Sequence, residues 1–458
     1  MSNRHVYIGI ETKVREFEAK MLLACVAAEA GFDVKLGKLK IFRHRLQTMP
    51  RGIFFEKSIT GERIPQYRLY NRLGFCVIGH DEEGLSPWNA EEYLRTRKFS
   101  DDSLRYVDNF MAWGQWHADV VAQAAPSFQS KILPVGHPRG DMTRKALRGF
   151  YDEEVRKLRE RYGRLILINT NFALCNHFYG RDGMFEFYRK SGRALAPLLE
   201  KFYRGVQQHQ EKLFSAFTDM ITAIYQRFPD ASIVVRPHPS ENHDTWRKLL
   251  PQSPNIHVIH EGNVVHWLLA ADVMIHNSCT TGIEGVLLER PVIAYRPVQD
   301  TQYESYLPNA LSVQTDSVKT VLRHLEQIFT NPSSFHLSAD EKERQNLLQG
   351  YVTALDGPLS CDRIVEKFTH LALPPRTVSM TAVQLRETLR GLKGRLANRV
   401  RRQSEQPLHA GSQYRQQKFP GIELAEVEDA LTKFQLLLGR FSAIHITELE
   451  PNLFRIYS

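Results

Sequence analysis

The sequence predicts an α/β protein built from two successive parallel sheets, and three observations carry that prediction. Short apolar runs alternate with helical patterns over the first two-thirds of the chain, and turn residues separate them. The alternation restarts after a charged, helix-like stretch at Asp152–Arg161. At 458 residues the chain is long enough for two large domains or three small ones.

His5–Ile10 is the first apolar run. A helical pattern from Val14 to Ala30 follows, with Phe17, Met21, Leu22 and Cys25 on one face; Gly31 closes it and Phe32–Leu36 forms the next strand. Phe75–Ile78, Asn109–Ala112 and Lys131–Val135 continue the series. The second series starts at Leu165–Ile168 and runs through Ser232–Val235, Ile256–Ile259, Val273–Ile275 and Val292–Tyr295. Helical patterns intervene at Gln208–Phe228, Val264–Ala270 and Gly282–Leu288. Two such series predict two Rossmann-like domains, residues 1–150 and 151–373, facing each other across a cleft. Composition shifts at Pro374–Pro375, so residues 374–458 read as a basic, amphipathic, helical C-terminal appendage. It holds a basic helix at Leu385–Arg402, a polar loop, an amphipathic segment at Ile422–Leu438 and a last strand near Ser442–Thr447.

Hydrophobic residues at 42% and charged residues at 24% are ordinary for a globular chain and argue against general disorder. Sixty Lys and Arg against 51 Asp and Glu leave a net charge of +9. Arg386, Arg390, Lys393, Arg395, Arg399, Arg401 and Arg402 stand against Glu387 alone, so six of those nine charges fall in one segment. Leu385, Leu389, Leu392 and Leu396 recur there at helical spacing, which suits an anionic membrane surface. Packing of this segment against the body is the plainer alternative. Nucleic acid is not expected, since no zinc finger, RNA-binding signature or helix-turn-helix accompanies the charge. No run of about 18 apolar residues occurs. The first twenty residues lack the pattern of a secretory signal. The cysteines, Cys25, Cys76, Cys175, Cys279 and Cys361, are scattered and odd in number. Together these predict a cytoplasmic protein, with peripheral attachment to the inner membrane through the basic segment.

Ligands of open parallel sheets bind beyond the carboxyl ends of the strands, which selects three clusters. Asp81-Glu82-Glu83-Gly84 follows the strand Phe75–Ile78, where repulsion between adjacent carboxylates and a cleft position can raise one pKa enough for base catalysis. A solvated acidic turn is the plainer alternative. Arg236-Pro237-His238-Pro239 follows Ser232–Val235, and two prolines there hold a guanidinium and an imidazole ready for a phosphate. Ser278-Cys279-Thr280-Thr281-Gly282 leads from a strand into a helical pattern, so hydroxyls and free helix amides form an anion site. An ordinary Ser/Thr N-cap is the alternative. Glu284 on that helix is a candidate for ribose hydroxyls. Asn169 and Asn171 follow Leu165–Ile168, and Arg139 lies in Gly136-His137-Pro138-Arg139; all three are candidates for substrate contact. His257, His260, His266 and His276 alternate with apolar strand residues and lack grouped carboxylates or cysteines, so no metal is expected. Without GxxxxGK[ST], GxGxxG or GxSxG patterns, kinase, dehydrogenase and serine-hydrolase readings fall away.

On these stretches, together with Glu11, Arg15-Glu16 and Asn169-Thr170-Asn171-Phe172, the chain resembles the bacterial surface carbohydrate biosynthesis proteins linked to capsule and lipopolysaccharide assembly. A looser similarity is to bacterial sialyltransferases and Kdo transferases of the GT-B fold. Those enzymes carry an acidic pair before glycine, a His-Pro pair at the CMP phosphate and a Ser/Thr-rich motif beside it. Glu82-Glu83-Gly84, His238-Pro239, and Ser278 with Thr280-Thr281 match in the same chain order; the extra Asp81 and the appendage depart from the pattern. The resemblance implies a GT-B glycosyltransferase that moves a Kdo-like or sialic-acid-like sugar from a CMP donor to a glycan or lipid-linked acceptor. It implies no cofactor or metal, a base among Asp81, Glu82 and Glu83, and donor contacts from Arg236, His238, Pro239, Ser278, Thr280, Thr281, Glu284, Asn169, Asn171 and Arg139. A CDP-polyol phosphotransferase, a nucleotide-sugar epimerase and a non-catalytic membrane-associated scaffold are the rival expectations.

Overall fold

A computed structural model describes residues 4–85, 89–190, 195–331, 335, 341–378 and 418–458. The chain divides into two units. One comprises Met1–Gly84, Leu94–Phe150 and Gly350–Ser458; the other comprises Leu85–Tyr93 and Tyr151–Gln349.

The first unit is built on β1 (Arg4–Ile10), β2 (Phe32–Lys38), β3 (Gly52–Glu56), β4 (Cys76–His80), β5 (Asn109–Met111) and β6 (Ile132–Leu133), joined by β13 (His445–Glu450) and β14 (Leu453–Tyr457). The sheet order is β13-β14-β2-β1-β3-β4-β5-β6. All pairs from β2 to β6 are parallel, with Ile8 opposite Leu36 on one side and Phe55 on the other. β3 and β4 are buried along their whole length, as a parallel strand covered on both faces requires. The helix Lys13–Glu29 packs its buried face, including Phe17, Met21, Leu22 and Cys25, beside β1 and β2.

The described residues 350–378 and 418–458 correct the expected boundaries, because they cluster with the first unit: β14 pairs antiparallel with β2, Phe454 opposite Leu36, and β13 pairs with β14. Asp141 accepts the amides of Ser360 and Cys361 at 2.7 and 2.9 Å. Phe434, on the helix Leu424–Leu438, stacks on Phe150 with ring centroids 4.9 Å apart. The predicted basic helix Leu385–Arg402 lies outside the described residues. Among the described residues, no helix is long and apolar enough to cross a membrane.

The second unit has β7 (Leu165–Asn169), β8 (Ser232–Arg236), β9 (Ile256–Val258), β10 (Val273–His276), β11 (Val292–Tyr295) and β12 (Val313–Thr315). They lie in the order β12-β11-β10-β7-β8-β9, and every pair is parallel. The helix Pro197–Arg227 starts on a proline, whose missing N–H costs nothing at that position. Its Leu213, Phe217, Met220, Ile221 and Ile224 recur every three to four residues and are buried with Ile166, Ile168, Ile233 and Val235 of the sheet. Burying a side chain such as Phe217 contributes roughly 1.5–3 kcal/mol.

Candidate functional site

Each sheet has a point where the strand order reverses, between β1 and β3 in the first unit and between β7 and β10 in the second. Polar side chains gather beyond the strand ends at both, as the rule for open parallel sheets requires.

In the first unit, Glu16 in the opening turn of the helix Lys13–Glu29 accepts the amides of Glu11 and Thr12 at 2.9 and 3.0 Å. Lys20, one turn on, is buried, and its three donors are spent on Gly9 O (2.7 Å), Glu16 (2.7 Å) and Glu82 (3.1 Å). Lys57, just past β3, reaches Glu11 at 3.0 Å and Glu16 at 3.5 Å. Burial works against the charge on Lys57, but Glu16, Glu11 and Glu82 hold its pKa above the usual lysine value.

The three consecutive acids do not face one another over a common site. Asp81 is buried and forks onto Arg97 at 2.7 and 3.0 Å while accepting the Glu83 amide at 3.0 Å. Glu82 is buried beside Lys20; burial opposes its charge, yet Lys20, then His80 and Arg139, pull its pKa down to about 2. Glu83 is half-exposed, with Arg15 at 3.3 Å. The expectation that repulsion lifts a carboxyl towards neutrality is therefore reversed at Glu82: each acid is met by its own cation, Arg97 from the helix Ala90–Arg97, and Lys20 and Arg15 from the helix Lys13–Glu29.

Behind Glu82 stand two buried imidazoles. His137 Nδ1 accepts the Arg139 amide at 3.1 Å, so its proton sits on Nε2 and is donated to His80 Nδ1 at 2.9 Å. His80 Nε2 then carries its proton towards Glu82, 3.6 Å away. His80 lies against Phe55, and His137 stacks on Trp113 with centroids 3.9 Å apart. Burial lowers the pKa of both, to about 4 for His80, so both rings are neutral at pH 7. His80, Glu82 and His137 offer donor atoms within 4.8 Å of one another, close enough for a metal ion. The donor set does not suit one: Nδ1 of His137 is taken by an amide, its Nε2 carries the proton His80 accepts, and the Lys20 ammonium already balances Glu82. Arg139 donates to Glu82 O at 3.0 Å and lies over Trp113. It belongs to the first unit and holds the acidic turn; the remaining donor-contact candidates belong to the second.

In the second unit, Arg236 ends β8 and is buried. One of its terminal nitrogens donates to Glu261 O (3.1 Å) and Gly262 O (2.7 Å), so the predicted phosphate donor here ties down a neighbouring loop. Pro239 occupies the second position of a turn closed by Glu241 N–H to His238 O at 2.8 Å, a position its fixed φ favours. His238 is exposed, and its Nδ1 accepts the Ser240 amide at 3.2 Å. The ring proton therefore sits on Nε2 as a donor.

Glu241, which sequence reasoning left without a role, is the hub of this end of the sheet. Its buried carboxylate accepts Thr170 Oγ1 (2.8 Å), Phe172 N (3.0 Å), His238 N (2.9 Å) and Trp246 Nε1 (2.9 Å). Burial raises its pKa although those donors pull the other way.

Past β10, Asn277 pairs with the Asn171 backbone in both directions, 2.8 and 3.3 Å, so Asn171 enters the site through its main chain. Asn169 Nδ2 donates to Thr281 Oγ1 at 3.0 Å. His276 is buried, accepts the Cys279 amide at 3.2 Å and bonds Ser312 at 2.9 Å. Ser278 has φ +54, a left-handed backbone rare for a residue with a side chain. Thr280 is half-buried and precedes the helix Thr281–Leu287 without a side-chain cap, so the ordinary N-cap alternative does not apply. Glu284 lies half-buried on that helix, in its first turn. The structure thus brings Asn169, Asn171, Ser278, Thr280 and Thr281 together at the β7–β10 reversal; the His238 turn follows the neighbouring β8 and is tied through Glu241 to Thr170 and Phe172.

No known family model matches the sequence, and no curated protein does. Solved structures do. A putative UDP-N-acetylglucosamine 2-epimerase from Listeria monocytogenes aligns with a TM-score of 0.50 and 14% identity, covering 82% of this chain and 100% of that one. A UDP-GlcNAc 2-epimerase from Methanocaldococcus jannaschii aligns at 0.47 with 11% identity, over 81% and 100%. The wall teichoic acid polymerase TagF aligns at 0.45 with 12% identity, over 80% and 88%. With the two parallel sheets described above, the Listeria structure places the chain in the GT-B-like class of paired Rossmann-like domains.

Proposed function

We propose that the chain is a nucleotide-sugar-dependent glycosyltransferase of bacterial surface polysaccharide synthesis, and that its donor is a CMP-linked ulosonic acid of the Kdo or sialic-acid kind. The observation that carries this reading is the held His238 turn past β8: Glu241 accepts the His238 amide together with Thr170 Oγ1 and Phe172 N past β7, and the His238 ring accepts the Ser240 amide. Donors fixed before the ligand arrives stabilise the charge that develops on a departing phosphate, and such preorganised electrostatics is usually the largest catalytic term. Protein donors meet that charge in this reading, without a metal. Glu83 is the base because it is the half-exposed acid of the three: Asp81 is buried and forked onto Arg97, and a carboxylate held at about 2, as Glu82 is, takes a proton from a hydroxyl poorly. Glu82 and Lys20 instead hold the acidic turn in place, and the acceptor is a glycan or a lipid-linked glycan.

The test is calorimetry with CMP, CDP and UDP, followed by incubation with CMP-Kdo, CMP-sialic acid, CDP-glycerol and UDP-GlcNAc. The expected result is binding of CMP, a several-fold loss in His238→Ala, and sugar transfer from a CMP donor that Glu83→Gln abolishes without changing CMP affinity. Turnover of CDP-glycerol alone would replace the donor by a CDP-polyol, and conversion of UDP-GlcNAc without an acceptor would make the chain an epimerase. Unchanged affinity in His238→Ala would remove the phosphate assignment.

A further inference from the structure

We propose that Asn309 is a positioning residue that turns the Ser278 hydroxyl hydrogen outward as an anion donor, and that Glu304 in turn fixes Asn309. This rests on the phosphate reading of the turn at Ser278–Thr281.

The argument runs outward from Glu304, which is buried between three elements. Its Oε2 accepts Arg296 Nε at 2.6 Å, and its Oε1 lies 3.1 Å from His209 Nε2 on the long helix Pro197–Arg227. Asn309, on the helix Tyr306–Leu311, is also buried, and its Nδ2 lies 3.3 Å from Glu304 Oε2. A carboxylate paired with a guanidinium accepts and does not donate, so the amide nitrogen, not its oxygen, must face Glu304. The same nitrogen lies 2.8 Å from Ser278 Oγ. Ser278 is therefore the acceptor in that bond, and its own hydrogen points elsewhere.

Thr281 shows the contrast. Its hydroxyl accepts from Asn169 at 3.0 Å and gives its hydrogen to Cys279 Sγ at 3.1 Å, so it is used up inside the turn. Two hydroxyls three residues apart thus have different duties: Thr281 braces the turn, and Ser278 presents a hydrogen. The left-handed φ of +54 at Ser278 is the backbone conformation in which it meets Asn309.

A double-mutant cycle separates this from a general packing role. CMP and CDP are titrated into the full chain and its variants by calorimetry, with melting curves to confirm folding. Asn309→Ala is expected to weaken binding about 5-fold, the size of one ordinary hydrogen bond. In the Ser278→Ala background the same substitution is expected to cost nothing more, because the hydroxyl it orients is gone. Asn309→Ser, polar but one atom too short to reach Ser278, carries the same expectation should the alanine variant fold poorly. A loss that persists in full without the Ser278 hydroxyl, or no loss at all, overturns the proposal. Impaired binding in His238→Ala with none in Asn309→Ala leaves the phosphate reading standing and removes only the role of Asn309. No binding of either nucleotide by the wild type overturns both.

Discussion

Replacing Lys20 by methionine tests the electrostatics of the first unit most directly. The lysine is buried and holds two buried carboxylates, Glu16 at 2.7 Å and Glu82 at 3.1 Å. The pKa of Glu82, lowered from 4.5 to about 2, corresponds to roughly 3–4 kcal/mol at about 1.4 kcal/mol per unit. Removing one member of a buried pair costs a similar amount, roughly 3–5 kcal/mol, because the other charge is left without compensation. At about 2–4 °C per kcal/mol for a domain of this size, Lys20→Met should melt on the order of 10 °C below the wild type at pH 7. The sign of the pH dependence follows from the direction of the shift. A depressed carboxyl stabilises the fold above its unfolded pKa and loses that contribution as pH falls from about 4.5 towards about 2. In Lys20→Met the orphaned Glu82 can escape its charge by taking a proton, so the gap to the wild type should narrow between pH 7 and pH 4. The double variant Lys20→Met with Glu82→Gln should recover more than half of the loss. Thermal melts followed by circular dichroism read all three. A drop under about 2 °C, a gap that stays constant with pH, or strictly additive single variants would refute the reasoning.

Three further outcomes follow from other sites. Glu241→Ala should destabilise the second unit by roughly 3–5 kcal/mol, since Thr170, Phe172, His238 and Trp246 all lose their acceptor; a denaturant titration checks it. Gly282→Ala should cost about 1–3 kcal/mol, because a Cβ there would sit 2.7 Å from the buried, hydrogen-bonded His276 ring; a melt within a degree of wild type would mean the ring can move. His80, neutral in the fold and lowered from 6.5 to about 4 first by burial, binds a proton more readily when unfolded. Wild-type stability should therefore fall as pH drops from 6.5 towards 4, and a His80→Phe variant that stays folded should lose that part of the slope.

The strands whose pattern was legible are those with longer, uninterrupted apolar runs, such as Phe75–Ile78 and Leu165–Ile168. β3 was not: Ile53, Phe54 and Phe55 are a short apolar run between glycine and Glu56-Lys57, too brief to distinguish from a turn, yet this strand lies beside the central β1. β14 was missed because its partner, β2, is over four hundred residues away, and local periodicity carries no trace of such a pairing. The same limit governs the site. The acidic triplet, the His-Pro turn and the hydroxyl turn were visible as chemistry at strand ends, and the sheet topology sets them there. Which acid is buried depends on Lys20, Arg97 and Arg15, which come from distant stretches. Arg236 could not be distinguished from a ligand donor until the carbonyls of Glu261 and Gly262 were seen to claim it. Glu241, Glu304 and Asn309 have no motif of their own; only their hydrogen-bond partners reveal them.

The pairing of β14 with β2 also sets a schedule for synthesis. β2 emerges from the ribosome early, but its outer neighbour is made only when Leu453–Tyr457 is translated. Apart from Leu85–Tyr93, the second unit occupies one continuous stretch and can close long before that. At about 5–20 residues per second, the N-terminal half-sheet waits roughly 15–60 s with the edge of β2 unpaired. An unpaired edge of that kind is a template for intermolecular pairing, so the nascent chain is most vulnerable to chaperone capture or misassembly during that interval. Slowing translation of the final third should lower the soluble yield of this protein more than slowing its beginning.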